Sequence, residues 1–505
     1  MAVASIRSSG YAPLVAGAIA AAGGASVAII QQISGSAEAL GLLALPVVVA
    51  LLLRSVWWAC AGVVAVICVV PFATLPFGGP VTPTLLELAL ITWAVLLGAV
   101  TLVDRTQELR IGPAHVLWLL LAGVCVFAFL LGIGRGYTNE TLHTFFSFML
   151  ALGVFVLMAH QVQRAVDAVL VLRLLLLGTS GAAAVALALY AAGAAFTERV
   201  LLRLVPYGYP GSRIVRYIED DPNRPMRAVG TSVDPNSFGG LLMIGFVLGV
   251  ACLVTHRTIA PRWLALGASG LCGTALLLTY SRGAWVGAFI GLVVLLGMRQ
   301  RKWLPALGLF GAAAIALGLG RGFVERLWLG FTLQDPATRL RLAEYQNAWE
   351  IIRRHPWFGV GFGDAPSIDL QAGVSSVYLT IAERAGLMGV AAFALVIIVT
   401  GWNALRLVRS PGLVGDVSLA LGAAFASALT AGLFDHYFFN PRFAHMAALF
   451  WLIVGALVAL SQPRSGTGWS FQPQASAVRS QQSLSVDHHR GNFEVKGHTD
   501  AGPTA

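Results

Sequence analysis

The chain has 505 residues, of which 11% are charged and 57% hydrophobic, and its mean hydropathy is +0.78. A soluble domain carries roughly 25% charged residues, so this chain has too few polar groups to cover a water-soluble fold of its size; that excludes a cytosolic enzyme, a disulfide scaffold and a disordered hub. The net charge of +10 does not imply nucleic acid, because the basic residues lie between apolar runs rather than along one face. Of the 33 basic residues only Lys302 and Lys496 are lysines. A GC-rich genome would give such a ratio, and so would a need for planar guanidinium forks facing phosphate or carboxylate.

Apolar runs predict spanning helices near 11–31, 39–53, 56–77, 85–103, 115–133, 141–160, 168–195, 236–255, 262–280, 283–298, 303–320, 375–402, 413–434 and 442–461, because backbone in lipid has to pair with itself. The fold class is therefore an all-α polytopic membrane protein with about 14 transmembrane helices (12–14) and a large external loop containing an amphipathic helix. The first run is long enough to remain as an anchor rather than be cleaved as a signal. Cys60, Cys68, Cys125, Cys252 and Cys272 all sit inside apolar runs without metal-ligand spacing, so neither disulfides nor a metal is expected.

With the N-terminus in the cytoplasm, the inner connections hold eleven basic residues and the short outer ones only Arg135, Arg282 and Arg442, as the positive-inside rule requires. Both termini are then cytoplasmic. The chain divides into N-terminal transmembrane helices (1–195), an external loop (196–235), transmembrane helices with a Ser-Arg-Gly turn (236–320), a large external loop (321–374), C-terminal transmembrane helices (375–461) and a disordered cytoplasmic tail (462–505).

Four polar constellations fall on the outer side. Arg227-Ala-Val-Gly-Thr-Ser-Val-Asp-Pro-Asn236 leads into the eighth span; Asp234-Pro-Asn is a turn and cap signature, and an arginine near a helix N-terminus suits a phosphate. Tyr280-Ser-Arg-Gly283 puts Arg282 in a tight turn between two spans, where a guanidinium needs a role or a partner, or else snorkels to the headgroups. In the large loop, Leu342, Tyr345, Trp349 and Ile352 recur at helical spacing, with Arg339, Arg341, Glu344 and Arg353 elsewhere around the helix. Such a helix either lies on the lipid surface or covers a cavity, and Pro356-Trp-Phe-Gly-Val-Gly-Phe-Gly363 ends it in a glycine-rich turn. Last, Asp435-His436 at the outer end of the thirteenth span has the composition of an oriented base, although sequence neighbours on a helix do not face each other.

An Arg-x-x-Gly segment with Pro-Asn before a span, the Ser-Arg-Gly turn, an external loop with Arg-Leu-x-x-Tyr and Pro-x-x-Gly-x-Gly, and the stretch Tyr378-Leu-Thr-Ile-Ala-Glu-Arg-Ala-Gly-Leu-Met-Gly389 together resemble the O-antigen ligase and polymerase superfamily over roughly residues 225–455. The resemblance implies a membrane glycosyltransferase of cell-surface polysaccharide assembly, in the cytoplasmic membrane with a periplasmic or extracellular active site. It implies an undecaprenyl-diphosphate-linked oligosaccharide donor, a glycan or lipid acceptor, polysaccharide assembly partners, and no cofactor, metal or nucleic acid. Arg227 and Arg282 match the arginines thought to engage the diphosphate; Arg339, Arg341 and Tyr378 are further substrate-binding candidates. Ligases commonly carry His-Asn three residues before the Tyr-Leu pair, whereas this chain has Ser375-Ser376 there. The base is then sought in His436, Asp435 or Glu344. A lipid-linked glycan transporter and a catalytically silent assembly scaffold are the alternatives.

Overall fold

The structure, a computed structural model, describes residues 48–52, 54–75, 82–103, 111–133, 137–256, 259–309, 336–363 and 374–462. The expected spans at 11–31, 39–53 and 303–320 and the expected tail at 462–505 lie wholly or mostly outside these residues. The described helices are α1 (Trp57–Val69), α2 (Leu85–Val103), α3 (Pro113–Leu131), α4 (Asn139–Gln161), α5 (Ala165–Ala192), α6 (Ala194–Leu202), α7 (Pro235–Val254), α8 (Arg262–Leu278), α9 (Arg282–Arg299), α10 (Pro336–Arg354), α11 (Val377–Val408), α12 (Leu413–Ala431) and α13 (Ala444–Ser461). Among the described residues β-pairing is confined to single antiparallel bridges at Thr74–Thr84 and Tyr217–Met226. Nine described helices are long and apolar enough to cross a membrane, α1 and α8 being shorter apolar helices, so the chain is a multi-pass membrane protein whose expected count of fourteen is not reproduced among the described residues. The run expected at 56–77 stops at Val69 because the chain turns there, with Leu85 N–H returning to the Ala73 carbonyl.

Lipid tails are as apolar as leucine, so helices associate in a membrane through close packing rather than through hydrophobicity. Small residues supply that closeness here. Gly287 of α9 lies against the Ser427 carbonyl and Ala431 of α12, and Gly455 of α13 against the Phe155 backbone of α4. α13 packs along α4, α8 along α7, and α11 along both α3 and α12. Away from the site face, the buried carboxylate of Asp416 at the start of α12 forms an ion pair with Arg299 at the end of α9.

α11 is two helical pieces. Gly386 has φ 67° and ψ −169°, which breaks the ladder between them. The glycine-rich turn after α10 fills the gap: Val360 N–H donates to the Glu383 carbonyl (2.9 Å), Gly361 N–H to Arg384 (3.0 Å), Leu387 N–H to Pro356 (2.8 Å) and Met388 N–H to Trp357 (3.2 Å). The Arg384 guanidinium adds a bond to the Gly363 carbonyl at 2.9 Å. Backbone groups freed by a broken membrane helix have to be paired by protein, and Pro356–Gly363 is the segment that pairs them. Gly359 (φ 66°) and Gly386 press backbone to backbone, leaving no room for a Cβ at either.

Gly386→Ala should therefore destabilise the protein by about 3 kcal/mol or more, from left-handed strain together with the clash against Trp357. Gly297→Ala, in α9 with open space around it, should be neutral or slightly stabilising. Thermal unfolding of the two variants in detergent checks this; equal melting temperatures would contradict it.

Candidate functional site

The N-terminal ends of α7, α9 and α11 meet the C-terminal end of α12 at one face of the bundle, with α10 packed against them. Asp234 caps α7, its carboxylate accepting Ser237 N–H at 2.7 Å, and Pro235 occupies the first helical position, as the Asp-Pro-Asn signature predicts. Arg227 is fixed to two elements: Nε donates to the Thr279 carbonyl at the end of α8 (2.7 Å) and a terminal nitrogen to Asn236 Oδ1 in the first turn of α7 (2.7 Å). Ala228 N–H donates to the Leu278 carbonyl at 2.8 Å. The Arg227 loop is thus laid directly on the turn that presents Arg282, the first residue of α9, which is half-buried.

Both turns leading into these helices are strained. Val233, immediately before Asp234, has φ 59°, and Tyr280, two residues before Arg282, has φ 53°. A β-branched residue in the left-handed region is a true outlier, and such strain clusters at functional sites. Gly239 and Gly240 on α7 let Ser281 and the Tyr437 ring come against the helix backbone.

α12 ends at Ala431, so Asp435 and His436 lie beyond the helix. Consecutive residues can therefore face each other: both the His436 N–H (2.9 Å) and its ring Nδ1 (3.1 Å) meet Asp435 Oδ1. The dyad that helical geometry would forbid forms because the helix has stopped. Asp435 is also stitched to α11, its carbonyl accepting Val377 N–H at 3.1 Å, while Gly432 accepts the same N–H at 2.8 Å.

The Ser375–Val377 corner is held from the other side by α10. Ser375 N–H donates to Glu344 Oε2 (3.0 Å), and the Tyr345 hydroxyl donates to the Ser375 carbonyl (3.2 Å). α10 is buried on one side and exposed on the other. Its buried side carries Glu344, Ala348, Ile351 and Ile352, whereas Leu342 and Trp349 are 41% and 61% exposed. The best-anchored residue of the buried side is a carboxylate bonded to backbone, which apolar spacing does not mark. Arg341 is half-buried on the same helix; Arg339 lies in its first turn, its side chain outside the described residues. Tyr378 is turned from this polar corner, its hydroxyl donating to the Leu429 carbonyl at 2.9 Å.

These charges act on one another. Burial alone would lower His436, but the hydrogen bond and charge of Asp435, with the nearby charges of Asp234 and Glu344, raise it above the ordinary histidine value. Burial alone would raise Asp435, yet the His436 bond and charge and the Arg341 guanidinium hold it below the usual aspartate value. Burial and then the like charge of Asp435 push Asp234 upward, against the pull of Ser237 and Arg227. So the structure brings Arg227, Arg282, Arg341, Glu344, Asp435 and His436 to one corner and adds Asp234 and Tyr345. Sequence marked Asp234 only as a cap; no local signal shows that it approaches residue 435. Chemically, the corner offers guanidinium groups beside helix N-termini for an anion and an oriented imidazole for a proton. Among the described residues no group of three or more His, Cys, Asp or Glu is arranged to hold a metal ion.

A probable peptidoglycan glycosyltransferase FtsW from Alcanivorax borkumensis is 31% identical to this chain over 204 residues, 37% of this chain and 52% of that protein, so the chain spans about half the length of the curated relative it matches. Residues 267–394 match the O-antigen ligase family model. That stretch takes in Arg282, Arg341, Glu344, Ser375 and the break at Gly386, while Arg227, Asp435 and His436 lie outside it. From within α8 to within the second piece of α11, the chain is similar to the O-antigen ligase family.

Proposed function

We propose that this protein transfers a glycan from a polyprenyl-diphosphate donor, undecaprenyl diphosphate by the resemblance, to a hydroxyl acceptor on the outer face of the cytoplasmic membrane in cell-surface polysaccharide synthesis. The observation that carries this reading is the placement of Arg227 and Arg282 at the starts of α7 and α9, in the same corner as the Asp435–His436 dyad. A diphosphate there receives guanidinium forks and helix N-termini together, and the charge that builds on it as it leaves is stabilised in place. The bond from the anomeric carbon to the phosphate oxygen breaks, and the acceptor oxygen forms the new glycosidic bond. The acceptor's proton passes to His436. Released lipid diphosphate is the second product.

The resemblance to ligases places a histidine at position 375, where this chain has serine. The Ser375–Val377 backbone is bonded both to Glu344 and to the Asp435 carbonyl, so an imidazole at 436 serves the corner that one at 375 would have served. Asp435 fixes the ring orientation, leaving Nε2 for the acceptor hydroxyl. Positive-inside patterning supports placing this face outside and both termini within the cytoplasm.

Purified protein in vesicles, given lipid-diphosphate oligosaccharide and a matching acceptor, should lengthen or transfer the glycan; binding without any transfer would sink the proposal. Arg227→Ala and Arg282→Ala should each lower turnover by about 100-fold or more. Because Arg227 also ties α7 to α8, Arg227→Lys is the second test: it keeps the charge, loses the two-partner fork and should still lose most activity in folded protein.

The raised His436 sets the pH dependence. As a base it must be neutral, so the rate should climb with pH through a value above the ordinary histidine value of about 6.5. His436→Gln should abolish that limb and reduce turnover by about 10²–10⁴-fold; a wild-type rate that is flat across this range would remove His436 from the role. The ion pair gives the opposite slope in stability. Its His436 share is full below the unfolded histidine value and is lost as pH rises through the folded one, whereas its Asp435 share is lost only as pH falls through the depressed aspartate value.

A further inference from the structure

The external loop that leads into α7 folds back on itself as a short hairpin. Tyr217 and Met226 form an antiparallel bridge, with the Arg227 N–H donating to the Arg216 carbonyl at 2.8 Å and the Ile218 N–H to the Pro225 carbonyl at 3.2 Å. This register sets Arg216 directly across from Arg227, and opposite residues of an antiparallel pair project from the same face with their Cβ atoms about 5 Å apart. Alternate residues of a strand also share a face. Ile214 and Ile218, on either side of Arg216 in that alternation, are buried, Ile214 against Val229, Leu189 of α5 and Leu201 of α6. The Arg216 side chain therefore starts toward the membrane domain, on the side where Arg227 reaches Thr279 and Asn236.

Like charges placed directly opposite each other are destabilising, and the hairpin itself does little to relieve them. Arg227 is bonded to protein through two nitrogens, each at 2.7 Å. Arg216 differs: its Nε is buried without a hydrogen-bond partner, and its ion pair is with Asp220, 3.6 Å away on a side chain 72% exposed. The other acids of the hairpin tip, Glu219 and Asp221, face Arg224 at 2.6 and 3.8 Å. Among the described residues the Arg216 guanidinium thus makes no hydrogen bond, and a buried donor left without one is costly. Two guanidinium groups across one hairpin, one of them lacking an acceptor, form an arrangement that an anion completes.

We propose that Arg216 makes the site selective for a lipid diphosphate over a lipid monophosphate: with one phosphate held by Arg227 and Arg282 at the helix starts, Arg216 takes the other from across the hairpin. This rests on the glycosyl-transfer reading and deepens it, because it assigns the choice of carrier lipid to a residue outside the helix ends. A monophosphate held at the helix starts leaves Arg216 without an acceptor and the two guanidinium groups repelling each other. A diphosphate carries negative charge on both phosphates and satisfies both forks. The preference comes from a donor that the wrong ligand leaves unpaired.

The test uses the full chain in proteoliposomes, with polyprenyl diphosphate and polyprenyl monophosphate of equal chain length as probes. Wild type should bind the diphosphate about tenfold or more tightly than the monophosphate. Arg216→Gln should lose about that factor for the diphosphate and keep its affinity for the monophosphate. It should also raise the KM of a glycan-bearing donor without moving that of the acceptor. Removing one of two opposed like charges should leave the melting temperature of the ligand-free protein equal to or above wild type. A merely structural arginine would instead lower it and weaken both lipids alike, which would overturn the proposal. Arg216→Lys keeps the charge and loses the fork; it is the second variant should the glutamine one fold poorly, and it should recover only part of the discrimination. Equal binding of both lipids by wild type, or unchanged discrimination in both variants, would overturn the proposal. So would a loss confined to donors whose sugars carry carboxylates, which would assign Arg216 to the glycan. Discrimination that depends on Arg216 in a protein transferring no glycan would refute the transfer reading and support the arginine pair. Transfer by wild type, with Arg216→Gln discriminating equally well, would refute the pair alone.

Discussion

Backbone polar groups in a membrane domain have to be paired, and most of the site's geometry follows from how this chain meets that requirement at one break. Gly386 interrupts α11, and the backbone groups around it bond to Pro356–Gly361. That docking fixes where α10 ends. α10 in turn delivers Glu344 and Tyr345 to Ser375, and the adjoining Val377 N–H reaches the carbonyls of Gly432 and Asp435. A loop that sequence reads as external is thus bound into the helix whose start forms one wall of the site. The turn is also held from a second side, since the Tyr137 hydroxyl accepts the Phe362 N–H at 3.3 Å.

Within that frame the charges are arranged by sign and by depth. Arg227 and Arg282 stand at helix starts, where the dipole adds to their positive field. The carboxylates Asp234, Glu344 and Asp435 gather around His436, and each has a backbone or ring partner: Ser237 N–H, Ser375 N–H and the His436 ring. Buried carboxylates are tolerated when they are hydrogen-bonded, and here the same bonds also position the loops. The strained backbone at Val233 and Tyr280 fits this economy of parts, since each sits at a turn whose residues are held on both sides.

Much of this was legible in the sequence because it rests on local chemistry. The all-helical membrane class follows from composition, and the Asp234 cap follows from Asp-Pro-Asn. Other features depend on contacts between distant segments and leave no local trace. The Ala-Gly-x-x-Gly run around Gly386 reads as an ordinary stretch of spanning helix, since glycine is common in such helices; only the carbonyls of Pro356 and Trp357 reveal the break. The Asp435–His436 pair can face itself only because α12 ends at Ala431, a boundary that the apolar run through Phe434 does not show. The burial of Glu344 on α10 leaves no trace in apolar spacing, because it comes from a hydrogen bond to the Ser375 backbone.

The central claim is that a lipid diphosphate sits between Arg227 and Arg282 with its sugar facing His436. A structure of the full-length protein with polyprenyl diphosphate bound tests it most directly. The account predicts phosphate oxygens about 2.7–2.9 Å from guanidinium nitrogens of both arginines, at the N-terminal ends of α7 and α9. A diphosphate bound elsewhere, with both arginines left facing only protein, would contradict it.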